Sequence, residues 1–161
     1  MEKERGKKKM MKKRICALAM TAMMICSMGG SVMAGNTTDR KINFDINAKD
    51  FKKTTGDAAK QDKTAVYLHI TSLANNTSAY VKAIGVKGSD QMNLTENGTT
   101  GKRTDYVTCK EGVQYSVHSQ IYEKGYRTAK VAFKSKNLIN SERVKGGWSP
   151  DSTRQYTHAW K

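Results

Sequence analysis

Cys109, His69 and His118 are candidate side chains for nucleophilic catalysis or metal binding. A thiol becomes a nucleophile when an imidazole lies close enough to take its proton. Cys109 follows Val107 in an alternating stretch, where a buried and inert thiol is the usual finding. The two histidines lie on polar faces of separate segments and would meet only across a sheet, and neither zinc spacing nor a calcium loop is present. We therefore assign no catalytic residue, no cofactor and no metal ligand from the sequence.

The acidic residues are spread singly along the chain and form no recognisable acid–base pair. A glycosidase needs two carboxylates that converge in space, and such convergence leaves no trace in a sequence. Neither a Gly-Lys-Ser/Thr phosphate loop nor a nucleophile elbow is present. A small secreted hydrolase therefore stays open as an alternative function.

Aromatic and basic side chains collect near the C-terminus, where they suit binding better than catalysis. The stretch Gly146–Ser152 reads Gly-Gly-Trp-Ser-Pro-Asp-Ser, and its proline pre-sets the first corner of a tight turn. Beyond it, alternating aromatic residues predict either a final edge strand or an exposed tail that inserts at a membrane surface. A tail that is docked on the sandwich or frayed is the simplest interpretation. The candidate binding surface consists of Trp148, Arg154, Tyr156, His158 and Trp160.

The first 34 residues have the organisation of a secretory signal peptide. A lysine-rich opening ends at Arg14, an apolar stretch runs from Ile15 to Met28, and Val32-Met33-Ala34 forms a cleavage site before Gly35. The apolar run is too short for a typical membrane-spanning helix. Cys26 lacks the small preceding residue that lipid attachment requires. We therefore predict a signal peptide at residues 1–34 and a secreted, extracellular mature chain at residues 35–161.

Apolar and polar residues alternate with a period of two through the mature chain, which predicts half-buried strands. The clearest prediction is a β-hairpin from Val113 to Ser135, with one strand on each side of a Glu123-Lys124-Gly125 link. Residues 48–64 and 87–104 are polar and predict surface loops. Further strands are expected around residues 42–46, 66–70, 80–86, 105–109 and 143–148.

These elements predict an all-β fold, a small antiparallel β-sandwich of about six or seven strands in one domain, with a small barrel as the alternative. The size of residues 35–161 suits a single core. Cys109 is the one cysteine that remains after processing, so no disulfide within the chain is expected.

The pattern of short strands behind a leader, closed by Gly-Trp-Ser-Pro-Asp-Ser, resembles small exported proteins of Gram-positive bacteria, some grouped loosely with lactococcin-like bacteriocins. The resemblance extends over residues Thr64 to Ser152. It implies a secreted β-rich protein and makes a bacteriocin-like antagonist an alternative function. The resemblance implies no catalytic residue. The compact Gly- and His-rich body of a lactococcin-like peptide is absent from this sequence.

The mature chain remains strongly basic after removal of the leader. Eight of the 29 Lys and Arg and two of the 14 Asp and Glu leave with residues 1–34, so the net charge is 21 minus 12, or +9. Such a charge attracts anionic partners through a field that salt weakens, although scattered lysines also serve solubility. We therefore predict a non-enzymatic binding module that contacts anionic cell-envelope polymers or a membrane surface, without a specific nucleic-acid partner.

Overall fold

Two β-sheets packed face to face make up the fold in the computed structural model, as the all-β sandwich prediction required. The structure describes residues 35–47, 50, 53–136 and 139–160, and this part of the chain contains eleven strands and no helix. The predicted signal peptide lies outside the described residues. Residues Ala34–Lys161 form one compact unit by their contacts.

The first sheet has the strand order β1-β10-β4-β8-β11, and all its neighbours are antiparallel except β11 and β8. The second sheet has the order β2-β9-β5-β6, with β3 also paired to β9 and β7 also paired to β5. The strands are β1 Arg40–Ile46, β2 Lys53–Thr54, β3 Ala58–Ala59, β4 Val66–Leu73, β5 Ser78–Lys87, β6 Asp90–Asn93, β7 Val107–Lys110, β8 Gln114–Val117, β9 Thr128–Ser135, β10 Glu142–Ser149 and β11 Thr157–His158.

The core lies between the two sheets and is built from the inward positions of the alternating strands. Phe133 of β9 is completely buried, and its ring meets the half-buried Phe44 of β1 edge to face, with 5.5 Å between centroids. Leu68 of β4 and Val81 of β5 are also completely buried, one from each sheet. Removing this apolar surface from water contributes about 25 cal/mol for each Å² and is the main force that holds the sheets together.

The predicted hairpin between residues 113 and 135 is wrong, because its two strands belong to different sheets. β8 pairs with β4 in the first sheet, whereas β9 pairs with β5 in the second. Gly125 takes the positive φ of 79° that a turn needs, but the turn belongs to a connection that crosses between the sheets. The alternation predicted the inward faces correctly, since Tyr115, Val117 and Val131 are buried. A period of two reports which face is inward and contains no information about the neighbouring strand.

The two predicted loops contain three short strands, which together with β11 account for the eleven strands where six or seven were expected. Within residues 48–64, β2 and β3 both pair with β9. Within residues 87–104, β6 forms an antiparallel hairpin with β5. Two-residue strands and largely exposed edge strands bury few side chains, so they give no apolar alternation by which a sequence would reveal them.

The C-terminal segment is docked and covers one open side of the sandwich. β11 lies parallel to β8 in the first sheet, and the backbone nitrogen of Thr108 in β7 of the second sheet donates to the Trp160 carbonyl at 2.7 Å. Ala159, between these two attachments, is completely buried in the core. The tail therefore connects the edges of both sheets and is an integral part of the fold.

Candidate functional site

Trp148 does not belong to the predicted binding surface, because its side chain is only 1% exposed. It lies in β10, paired with Arg40 on one side and Leu68 on the other, and it shares the inward face with Val144. This burial is too complete for contact with a partner.

Arg154 and Tyr156 form a stack on the outside of the first sheet. The Tyr156 ring packs on the ring of Tyr67 at 4.8 Å between centroids, and the Arg154 guanidinium lies 4.9 Å from the Tyr156 centroid. Such a cation–π contact orients a planar guanidinium while leaving its donors available. The backbone nitrogen of Tyr156 donates to Ser116 Oγ at 2.9 Å, which attaches the stack to β8. The Tyr156 ring is thus half-buried in the protein itself.

A cleft of about 270 Å³ opens beside this stack. Two exposed cations, Lys63 and Arg154, contribute to its wall together with His118. None of the residues that line it, all within the described part of the chain, is acidic; the others are Thr64, Ala65, Ser116, Ser152, Thr153 and Gln155. Two positive charges beside polar side chains suit an anion that also carries hydrogen-bond acceptors.

His118 and His158 meet at the border of the cleft, which the sequence analysis missed. Their rings are stacked, with 4.8 Å between centroids and 3° between planes, and His118 Nε2 lies 2.8 Å from His158 Nδ1. Burial lowers the pKa of His118, the neighbouring His158 lowers it further, and Glu96 opposes both effects. The pairing of β11 with β8 brings His118 and His158 together, although they are 40 positions apart in the chain.

His69 and Cys109 take no part in this arrangement. His69 lies opposite Gln114 in the β4–β8 ladder, whereas Val117, next to His118, lies opposite Val66 at the other end. Cys109 is completely buried in β7, and burial raises the pKa of its thiol. The structure therefore does not bring the thiol and the two histidines of the sequence analysis into one site.

A second polar cluster has Asp151 at its centre and was also missed from the sequence. The completely buried Asp151 accepts from Lys60 Nζ at 2.6 Å and from the backbone nitrogens of Asn36 and Gln61 at 2.7 and 2.9 Å. Lys60 Nζ also donates to the Thr64 carbonyl at 2.5 Å. Lys60 falls in a predicted loop, and nothing in its polar surroundings marks it as buried.

Asp62 brings a second carboxylate next to Asp151, so two acidic groups converge after all. Its Oδ1 accepts from the Thr64 backbone nitrogen at 2.7 Å and also from the Thr64 hydroxyl, and it lies 3.8 Å from Lys60 Nζ. Burial acts to raise the pKa of Asp62, but the bonds from Thr64, the charge of Lys60 and a side-chain hydrogen bond with Asp151 outweigh it and lower that pKa. Both carboxylates are thus occupied by donors of the protein itself.

No group of three or more His, Cys, Asp or Glu is placed to hold a metal ion in residues 35–47, 50, 53–136 and 139–160. The same part of the chain contains no helix long and apolar enough to cross a bilayer.

Comparison with known proteins gives one match. A family model described as "Protein of unknown function (DUF2712)" matches residues 30–152. No curated protein and no solved structure matches the chain.

Proposed function

The chain belongs to the DUF2712 family, and from the chemistry of its surface we propose that it is a secreted, cationic, non-enzymatic binding module that acts at or near the bacterial cell envelope. The observation that supports this best is the cleft with Lys63, Arg154 and His118 in its wall and no acidic residue among its lining. The net charge of +9 on residues 35–161 adds long-range attraction to the same class of partner.

The partner that fits the cleft is an anionic polymer of the envelope, which presents phosphate or carboxylate groups one at a time. Arg154 is oriented by its stack on Tyr156, so its guanidinium is ready for an oxyanion without further ordering. The Thr153 hydroxyl lies in the wall of the cleft, whereas the Thr64 and Ser152 hydroxyls there already donate to Asp62 and to the Arg154 carbonyl. A polar cleft of this kind recognises a charged group and leaves the rest of the polymer in solvent.

A membrane surface fits the described side chains less well. Tyr156, which the sequence analysis considered for insertion, packs on Tyr67 and beneath Arg154. Trp160 remains 46% exposed but is attached to β7 by its backbone carbonyl. Insertion of the Tyr156 ring would require the docked tail to leave the sandwich, which leaves only the Trp160 ring for contact with a bilayer, so we favour the polymer.

The converging carboxylates favour a structural role over hydrolysis. Asp151 has no exposed surface, and its oxygens accept from Lys60 and two backbone nitrogens. A general acid or nucleophile must reach the substrate. This argument supports a binding function for the chain.

The test measures retention of residues 35–161 by purified cell walls at low and at high salt, before and after removal of their anionic polymers. The double variant Lys63→Gln and Arg154→Gln should bind about tenfold more weakly, a loss of about 1.4 kcal/mol. The matched control is Lys41→Gln with Lys145→Gln, which removes the same charge from exposed positions on β1 and β10. The control should show only the smaller effect of a reduced net charge.

Equal losses in the two double variants would mean that net charge alone causes binding and that the cleft is not the site. Failure of the unmodified protein to bind walls even at low salt would refute the envelope proposal. Vesicles of anionic and of neutral lipid form the third arm of the experiment. Retention by anionic vesicles without retention by walls would replace the polymer with a membrane as the partner.

A further inference from the structure

The first residues after the predicted cleavage site are attached to the Asp151 cluster. The Asn36 backbone nitrogen donates to Asp151 Oδ2 at 2.7 Å, and the Asp151 backbone nitrogen donates back to the Asn36 carbonyl at 3.3 Å. Asn36 Nδ2 also donates to the Ala59 carbonyl at 3.1 Å. The start of the mature chain is therefore held between β3 and the turn after β10.

Gly35 lies so close to two carboxylates that only glycine fits. A Cβ added to it would stand 2.6 Å from Asp151 Cβ and closer still to Asp62 Oδ2. Standard geometry places the backbone nitrogen about 2.5 Å from the Cβ position of the same residue. The nitrogen of Gly35 is consequently within about 5 Å of the Asp62 carboxylate, a distance at which opposite charges interact strongly.

With both of its carboxyl groups ionised, the cluster around Asp151 has an excess of one negative charge in the contacts described. Asp62 and Asp151 contribute two carboxylates, and Lys60 contributes one ammonium group. Lys60 and Asp151 have no exposed side-chain surface, and Asp62 has 27%. An uncompensated charge in a site this poorly solvated is costly, so a second positive charge here would be stabilising.

We propose that the α-ammonium group created by cleavage before Gly35 binds to Asp62 beside Asp151 and supplies this second positive charge. Removal of the signal peptide then also generates a charged group that the carboxylates of the folded chain bind. The proposal rests on the export assigned above, and it adds a role for processing in the stability of the mature fold. Before cleavage, the same nitrogen belongs to an uncharged peptide bond.

The groups that face this amine predict how its contribution changes with pH. Asp62 and Asp151 favour the charged amine, and Lys60 opposes it. An α-amino group has a pKa of about 8 in an unfolded chain, and binding raises that pKa in the folded state. The stabilisation is therefore fully present below pH 8, and it is lost as the pH rises through the folded pKa.

The experiment compares two forms of residues 35–161, one with a free Gly35 amine and one with that amine acetylated. All eleven described strands and the whole core cluster lie within this part of the chain. In urea unfolding at pH 6.5, the free form should have an unfolding equilibrium constant about tenfold smaller, which corresponds to about 1.4 kcal/mol. The difference should disappear by pH 10 and also in Asp62→Asn, which keeps the acceptor for Thr64 but removes the charge. Asp39→Asn, an exposed acid four residues from Gly35, is the control that should preserve the difference.

Equal stability of the two forms at pH 6.5 would overturn the proposal, as would a difference that survives in Asp62→Asn. Asp62 is partly exposed, so its variant is expected to fold and to give a measurable transition. Intact-mass measurement of exported protein, which should begin at Gly35, tests the export proposal separately. The two proposals can therefore fail independently. The amine can prove not to bind Asp62 although export is correct, and export can be refuted although the amine binds.

Discussion

Breaking the buried pair between Lys60 and Asp151 should destabilise the fold more than any other single charge removal that we consider. Lys60 Nζ and Asp151 Oδ1 are 2.6 Å apart, and neither side chain has exposed surface. Asp151→Asn keeps an oxygen for the nitrogens of Asn36 and Gln61 but leaves the buried Lys60 ammonium with only the partly exposed Asp62 carboxylate, 3.8 Å away, as a counterion. Removing one partner of a buried pair costs about 3–5 kcal/mol, a large part of the 5–15 kcal/mol that stabilises a typical domain.

Urea unfolding followed by tryptophan fluorescence measures this loss, because the buried Trp148 changes its surroundings on unfolding. Lys60→Met should cost a similar amount, since it leaves the Asp151 carboxylate unpaired. The double variant should cost clearly less than the sum of the two, because neither charge remains to be stranded. Asp45→Asn is the matched control, since Asp45 bonds Arg143 at 2.8 Å on the surface, where more than half of each side chain is exposed. We expect a much smaller change there.

The reasoning fails if Asp151→Asn is no more destabilising than Asp45→Asn, because the pair would then behave as a surface pair. It also fails if the two single losses simply add in the double variant. Either result would mean that the burial of this cluster does not determine its energetic role.

Two further predictions concern groups with shifted pKa values. Burial raises the pKa of the Cys109 thiol, so Cys109 should be unreactive toward a thiol reagent in the folded protein and should react in urea; rapid reaction in the folded state would contradict its place in the core. The pKa of His118 is lowered by burial and by His158, so its NMR titration should lie below the usual value of about 6.5, and His158→Asn should raise it. The stability contributed by neutral His118 is therefore present above pH 6.5 and is lost as the pH falls below that value toward the folded pKa. A His118 titration at or above 6.5 would contradict its burial, and a titration that His158→Asn leaves unchanged would show that the pair does not form.

The fold class was predictable from the sequence because it depends on local alternation. Residues such as Val117, Val131 and Phe133 repeat every second position, and the structure buries all three. Strand partners were not predictable in the same way. β8 and β9 looked like a hairpin because they are close in sequence and joined by a glycine-bearing link, whereas each of them pairs within a different sheet.

The candidate site was predictable only in part, because charged clusters depend on long-range contacts. Arg154, Tyr156 and His158 were predicted from the sequence as a local concentration of basic and aromatic groups. The structure places Arg154 in the wall of the cleft, Tyr156 beneath Arg154, and His158 against His118. His118 and Lys60 became part of their clusters through partners 40 and 91 residues away. A lysine in a polar segment has the same sequence pattern whether it is solvated or buried against a carboxylate.

The pairing of β1 has a consequence for the order in which this chain acquires its structure. β1 is an edge strand that is hydrogen-bonded to β10 alone in its sheet, with Arg40 opposite Trp148 and Ile46 opposite Glu142. A chain is synthesised from its N-terminus, so β1 is finished about a hundred residues before the strand that receives it. Contacts of such large sequence separation form slowly because a long loop must close before they stabilise anything. β1 therefore remains unpaired until β10 has been synthesised. The native topology is completed only when almost the whole polypeptide is available.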